Sequence, residues 1–254
     1  MIRTGRPRHG ALSARAVQRA LRALASAEKA RGLAGFFKTG PGQYGEGDRF
    51  LGVTVPRQRR VARNHRDLPF AETAQLLHSP HHEDRLTGLL ILVDRFRRGG
   101  PMERRRCHAF YLKHLDRVNN WDLVDATAPD LVGAALGRDR SLLDRLAGSP
   151  HLWRRRVAMV ATFHFTREGD AEPALRLARR LLTDPHDLMH KAVGWMLREV
   201  GKRVSVRTLE SFLRRHAARM PRTALRYAIE RFPEPRRRAF LNTPPVLVRG
   251  GKKR

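Results

Sequence analysis

The chain has 254 residues and 41% hydrophobic residues, enough to build a continuous core in one large domain or a short helical solenoid. Its 52 lysines and arginines against 24 acidic residues give a formal charge of +28, and only seven of the cations are lysine (Lys29, Lys38, Lys113, Lys191, Lys202, Lys252, Lys253). An arginine-rich composition explains arginine over lysine but not the shortage of acids. A field of this size attracts polyanions, so nucleic acid is the expected partner, ahead of an acidic membrane surface or an acidic protein. The lone Cys107 excludes an intramolecular disulfide framework and fits a reducing compartment. The basic residues Met1 to Gly10 lead into no apolar region, and no run approaches the ~18–20 apolar residues of a membrane span. These features predict a soluble, cytoplasmic, nucleoid-associated monomer that needs no membrane, metal or cofactor.

Alternating β-branched runs are missing, while Ala, Leu and Arg, all good helix formers, dominate. Periodicity and Pro, Gly or Asn-Asp punctuation predict helices over 13–31, 55–66, 70–78, 82–97, 102–117, 121–136, 141–147, 151–167, 171–183, 187–202, 205–218, 222–231 and 234–240. The Pro/Gly-rich basic tails, 1–10 and 242–254, are expected to be disordered, leaving a single domain over 11–241.

Within that domain a repeat is visible. Ser79-Pro80-His81, Ser149-Pro150-His151 and Asp184-Pro185-His186 each stand where a helix opens, read as a capping residue followed by proline at the first helical position. Successive prolines lie 70 and 35 residues apart, Pro221 follows 36 residues later, and Asn119-Asn120-Trp121 opens a helix in the long gap. A period near 35 with two helices per unit lies in the HEAT and TPR range, and the TPR signature is absent. The expected architecture is therefore an all-α, HEAT-like α-α superhelix with a concave basic face able to cradle a rod such as duplex DNA.

Several stretches bear on chemistry. Residues Phe36 to Val53 form a glycine-rich loop that either cradles phosphate through backbone N–H groups or joins helices with aromatic anchors; it lacks the Gly-Lys-Ser/Thr ending of a P-loop. In Trp121-Asp122-Leu123-Val124-Asp125, Trp121 and Asp125 share a face, which continues through Ala128 and Val132, while Asp122 points elsewhere as a helix-start carboxylate. Arg156 shares a stripe with Leu152, Met159, Val160 and Phe163, whereas Arg154 and Arg155 reach solvent more easily. A carboxylate and a guanidinium, each among apolar neighbours, want partners, so Asp125 and Arg156 are expected to pair, either as a salt bridge fixing the repeats or as part of an active site. Lys191, Trp195, Arg198 and Lys202 fall on one stripe, outside a core stripe of Met189, Val193, Met196 and Val200. Trp195 is then either an aromatic in a basic line that touches nucleic acid or a tryptophan packed under the next helix. His186 and His190 imitate a zinc-binding helix, but the repeat accounts for His186, and His81-His82-Glu83-Asp84 reads as a helix start.

With these residues in view, the chain resembles the bacterial AlkD-type DNA alkylation-repair family. The loop Phe36 to Val53, Trp121-Asp122-Leu123-Val124-Asp125, Trp153-Arg154-Arg155-Arg156-Val157-Ala158 and Lys191 to Glu199 carry the resemblance in order. It implies a HEAT-like monofunctional glycosylase that excises cationic N3- and N7-alkylated purines such as 3-methyladenine and 7-methylguanine from duplex DNA in base excision repair. By resemblance, Asp125, Trp121 and Trp195 are catalytic-cleft residues and Arg156 lines the same cleft. Phe36 falls near the DNA, and Lys191, Arg198 and Arg155 are expected to contact it. Asp187 and Leu188 stand where some members carry aromatic residues. Related proteins on this scaffold bind branched or damaged DNA without cleaving it, which is the alternative function.

Overall fold

The computed structural model describes residues 12–244. Among them the chain is all-α, with fifteen α-helices, three 3-10 turns and a single isolated bridge between Arg49 and His81 in place of any sheet. None of these helices is long and apolar enough to cross a membrane. The expected tail 1–10 lies outside the described residues, as does 245–254 of the other tail. The chain divides into two compact units at Thr127.

The first unit contains α1 (Ala14–Arg22), α2 (Ala27–Phe36), α3 (Val55–Asn64), α4 (Phe70–Leu77), α5 (His82–Arg98), α6 (Pro101–Lys113) and α7 (Trp121–Asp125). Its axis is α5, buried from His82 to Val93 and again at Phe96, with α3, α4, α6 and α7 packed around it. A helix whose central turns are apolar on every side, as from Leu86 to Val93, belongs in a core. The predicted helix 13–31 is in fact two helices. Ser26 donates its N–H to the Leu51 carbonyl (2.9 Å) and caps α2 by accepting from the Lys29 N–H (3.4 Å), so a bond to the glycine-rich loop breaks the run.

The second unit contains α8 (Ala128–Leu131), α9 (Ser141–Ala147), α10 (Leu152–Arg167), α11 (Glu172–Arg180), α12 (Asp187–Arg203), α13 (Val206–His216), α14 (Arg222–Ala228) and α15 (Glu234–Leu241). Here α10 packs on α8, α9, α11 and α12, and α12 continues onto α13 and α14. The approach of α12 to α14 demands glycine at 194, where a Cβ would lie 2.4 Å from the Ala224 carbonyl oxygen and 2.5 Å from the Tyr227 Cβ.

The predicted helix 121–136 is likewise broken. Pro129 has no N–H to return to the Asp125 carbonyl, and the Thr127 hydroxyl bonds back to the Leu123 carbonyl (2.6 Å), so α7 stops after five residues. Ala128 and Val132 are buried, but they do not extend one face from Trp121 and Asp125.

The Ser/Asp-Pro-His segments do open helices, though two residues later than the proline position suggested. Histidine is the capping position, and the helices begin at His82, Leu152 and Asp187. The residue before proline closes a tight turn instead. Ser79 Oγ, Ser149 Oγ and Asp184 Oδ1 accept from the N–H of His81, His151 and His186 at 3.2, 3.2 and 3.0 Å. Six residues on, a side-chain nitrogen donates back to the same residue's carbonyl: Arg85 to Ser79 (3.1 Å), Arg155 to Ser149 (3.1 Å) and His190 to Asp184 (2.5 Å). The repeat is therefore structural: each turn is tied down by the first turns of the helix that follows it.

Candidate active site

In the first unit, Trp121 and Asp125 stand four residues apart on α7, both half-buried. A five-residue helix is too short to hold itself, and its position comes from its amino end. Asn120 caps it, accepting from the Trp121 N–H (2.8 Å), and donates its own side-chain amide to Asp48 (3.1 Å). Asp122 accepts from the Leu123 N–H (2.9 Å) and from His82 Nε2 (2.8 Å). His82 Nδ1 donates to Asp48 (3.0 Å), and Arg85 reaches the other Asp48 oxygen at 2.5 Å. Asp48 thus joins the glycine-rich loop to the starts of α5 and α7.

Both ring nitrogens of His82 face carboxylates, which only accept, so the ring is an imidazolium. Burial by itself disfavours that charge, but the bonds to Asp122 and Asp48 outweigh it and lift the pKa to about 9. For Asp48, burial raises the pKa, yet His82, Arg85 and Asn120 together hold it below the usual carboxylate value. The imidazolium also lies face-on to Phe50 (4.8 Å between centroids, 24°). From there the stack continues through Phe37 (5.0 Å) to Trp121 (5.1 Å, 16°), and Phe36, 63% exposed, meets Trp121 edge-on at 5.9 Å. The indole is braced on one side by rings, with a solvent-exposed phenyl beside it.

The loop itself is tied by Glu83, whose carboxylate accepts from the N–H groups of Leu51 (2.9 Å), Gly52 (2.8 Å) and Val53 (3.2 Å). Those donors are spent inside the protein, which favours the aromatic-anchor reading of the loop over a phosphate cradle. Gly52 is required there: its φ is +80°, and a Cβ would lie 2.1 Å from the Ser26 carbonyl oxygen.

In the second unit Arg156 is 5% exposed and donates to the Leu188 carbonyl (2.5 Å) at the start of α12. Met159 and Val160 are buried beside it in sequence, as its stripe predicts, and Phe163 is half-buried. Met189, Val193, Met196 and Val200 are all buried, leaving Lys191, Trp195 and Arg198 half-buried on the other stripe. Trp195 lies 6.0 Å from Phe163, centroid to centroid. Lys191 pairs with Asp187 (2.9 Å), an ion pair that holds the Asp187 carboxyl below its ordinary value, and Arg198 pairs with Glu230. Arg155 grips Asp184 with two nitrogens (2.6 and 3.3 Å) and the Ser149 and Pro150 carbonyls. Its guanidinium is occupied internally. His186 Nδ1 accepts from the Leu188 N–H (3.1 Å), so the zinc-like spacing of His186 and His190 is used for capping and for the turn before α12.

Sequence reasoning placed Trp121, Asp125, Arg156 and Trp195 on the right helices but missed His82, Asp48, Asn120, Phe37 and Phe50. One signal was available: four ionisable residues, His82 to Arg85, open a helix and run directly into the apolar stretch Leu86 to Val93, so they too had to be buried and partnered.

The fold defines the class as an all-α protein of the AlkD-like fold. A solved structure described as "Predicted DNA alkylation repair enzyme from Enterococcus faecalis" superposes with a TM-score of 0.62, covering 83% of this chain and 97% of that one at 16% identity, a likeness of fold. The chain belongs to the DNA alkylation repair enzyme family, whose family model matches residues 17–232. No curated protein matches it.

Proposed function

We propose that the protein is a monofunctional DNA glycosylase that releases cationic N3- and N7-alkylated purines, such as 3-methyladenine and 7-methylguanine, from duplex DNA held on a basic concave face of HEAT-like repeats. The observation that carries this reading is the pairing of an indole and a carboxylate, Trp121 and Asp125, on a five-residue helix fixed at its amino end by a buried imidazolium between two aspartates.

Alkylation at N3 or N7 gives the purine a positive charge and makes it a good leaving group, so protonation of the base is not needed. As the glycosidic bond breaks, positive charge builds on the deoxyribose. A carboxylate at ~4 Å stabilises it by up to ~4 kcal/mol at an effective dielectric near 20, about 10³ in rate. Indole faces add on the order of 0.5–2 kcal/mol each. Asp125 is the anion in this scheme and also orients or deprotonates the attacking water. Trp121 lines the sugar and Phe36 lies near the DNA, while Trp195 is taken as the indole that the second unit offers to the DNA. Arg156 holds a carboxylate or flanking phosphate, while Lys191 and Arg198 exchange their surface carboxylate partners for backbone phosphates. Arg155, already bound to Asp184, is better read as a brace for its loop than as a DNA contact.

Incubating the full chain with methylated duplex DNA and chromatographing the released bases tests the proposal. Free 7-methylguanine or 3-methyladenine is expected from the native chain, with a loss of about 10³ in single-turnover rate for Asp125→Asn and little change in DNA affinity. Tight binding without base release would leave the non-enzymatic reader of branched or damaged DNA, and unchanged excision by Asp125→Asn would remove that carboxylate from the mechanism.

A further inference from the structure

A second concentration of positive charge lies on the second unit, away from the stripe of Lys191 and Trp195. Helix α12 is flanked by α10 and α14 and backed by α11 and α13. Between α11 and α13 is an opening of ≈ 380 Å³ whose lining includes Arg179 from α11 with Arg207, Thr208, Ser211, Arg215 and His216 from α13. No carboxylate lines it. The acids of the two helices are committed elsewhere, Glu172 to Arg176 (2.9 Å) and Glu210 to Arg236 (2.8 Å).

Three guanidiniums around one small opening repel each other unless an anion joins them. Arg215 is pre-positioned, donating from Nε to the Ser211 carbonyl (3.1 Å) and from Nη2 to Ser211 Oγ (2.6 Å). Arg179 and Arg207 are exposed and have no ionic or hydrogen-bonded partner among the described residues, so their forks remain available to a tetrahedral anion. His216 packs its ring on Phe212 (4.5 Å between centroids). Its pKa lies below the ordinary histidine value through burial and through the charges of Arg179, Arg219 and Arg215. A bound anion would reverse that balance and let the ring take a proton.

We propose that the opening between α11 and α13 is a phosphate-binding site, separate from the residues proposed for glycosidic chemistry and independent of that chemistry. The chemistry it recognises is a phosphate group carrying two or more acceptor oxygens, presented either by a free inorganic phosphate or pyrophosphate or by the phosphodiester backbone of a nucleic acid.

The test follows the His216 ring resonances of the full chain by NMR through a pH titration, with His216→Gln used to assign them. Three conditions are compared at constant ionic strength: no ligand, inorganic phosphate or pyrophosphate, and a short unmodified DNA duplex. Binding is expected to raise the pKa of His216. In Arg179→Gln/Arg207→Gln, two exposed substitutions that leave the core intact, His216 should start from a higher pKa because Arg179 no longer repels its proton. Added ligand should then shift it little, and ligand affinity should fall about tenfold. A response to duplex but not to free phosphate assigns the site to nucleic-acid backbone, and a response to both assigns it to phosphate of either source. If neither ligand moves His216, or if the double variant responds as the native chain does, the proposal is wrong.

Discussion

The two proposed tryptophan positions are held by opposite means. Trp195 rides in the middle of a 17-residue helix whose core stripe is continuous, and its place follows from periodicity and packing. Trp121 opens a helix of five residues, and its place follows from a polar hub of Asp48, His82, Arg85, Asn120 and Asp122 together with a stack of rings. A long amphipathic helix is located by burial of one face, which changes little with solution conditions. A single turn must be tied by directional bonds, and these depend on a proton. The residue proposed to face the developing charge, Asp125, stands on the element that depends on the hub.

The largest effect that would separate the two is on pH. His82 has its pKa raised from 6.5 to about 9, so its contribution to stability is complete below pH 6.5, erodes as pH rises through 9 and is absent above that. At ~1.4 kcal/mol per unit the contribution is about 3 kcal/mol. His82→Gln should lose that amount at pH 6 in denaturant titrations, and the gap from the native chain should close by about pH 10. A gap of constant size from pH 6 to 10 would mean that the ring is not charged in the folded state. Asp48 acts on the other flank: its lowered pKa adds stability above the ordinary carboxylate range that is lost as acid protonates it.

A smaller and pH-independent effect is expected at the packing-held tryptophan. Gly194 lies beside Trp195 where α12 meets α14, and the Cβ of Gly194→Ala would meet the Ala224 carbonyl oxygen at 2.4 Å. Overpacking costs about 1–3 kcal/mol, only partly offset by roughly 1 kcal/mol of better helix propensity. Denaturant midpoints at pH 6 and pH 10 should fall by the same amount. A stabilised variant would show that α12 and α14 do not approach this closely.

The same contrast explains what the sequence could disclose. Helices α9, α10 and α12 begin and end within a residue or two of their predicted limits because their apolar stripes are uninterrupted, and Arg156 and Trp195 were assigned to their stripes on that basis. The hub was not legible because its bonds join residues 34, 37, 40 and 72 positions apart. No local pattern says that His82 will find Asp48 and Asp122. The break after α7 was readable in principle from Pro129, but the apolar run around it concealed the missing donor. Arg155 shows the same limit: it stands half-buried in the first turn of α10, and only its distance to Asp184, 29 residues on, reveals that partner.

The smallest expected effect concerns Arg198, where packing-held geometry meets exchangeable charge. Its guanidinium pairs with Glu230, whose side chain is 56% exposed, so the partner can be given up to solvent at little cost. If Arg198 trades Glu230 for a backbone phosphate on binding, Arg198→Gln should weaken DNA binding and lower the magnitude of the log affinity against log salt slope by about 0.9. Glu230→Gln should act in the opposite direction, raising affinity by roughly two- to fivefold, the range expected for removing an exposed competing ion pair. Measuring both on one unmodified duplex separates a phosphate contact from a structural pair. In a structural pair both substitutions would leave the slope unchanged and lower stability alike, and Arg198 would then belong with Arg155 among the braces of the second unit.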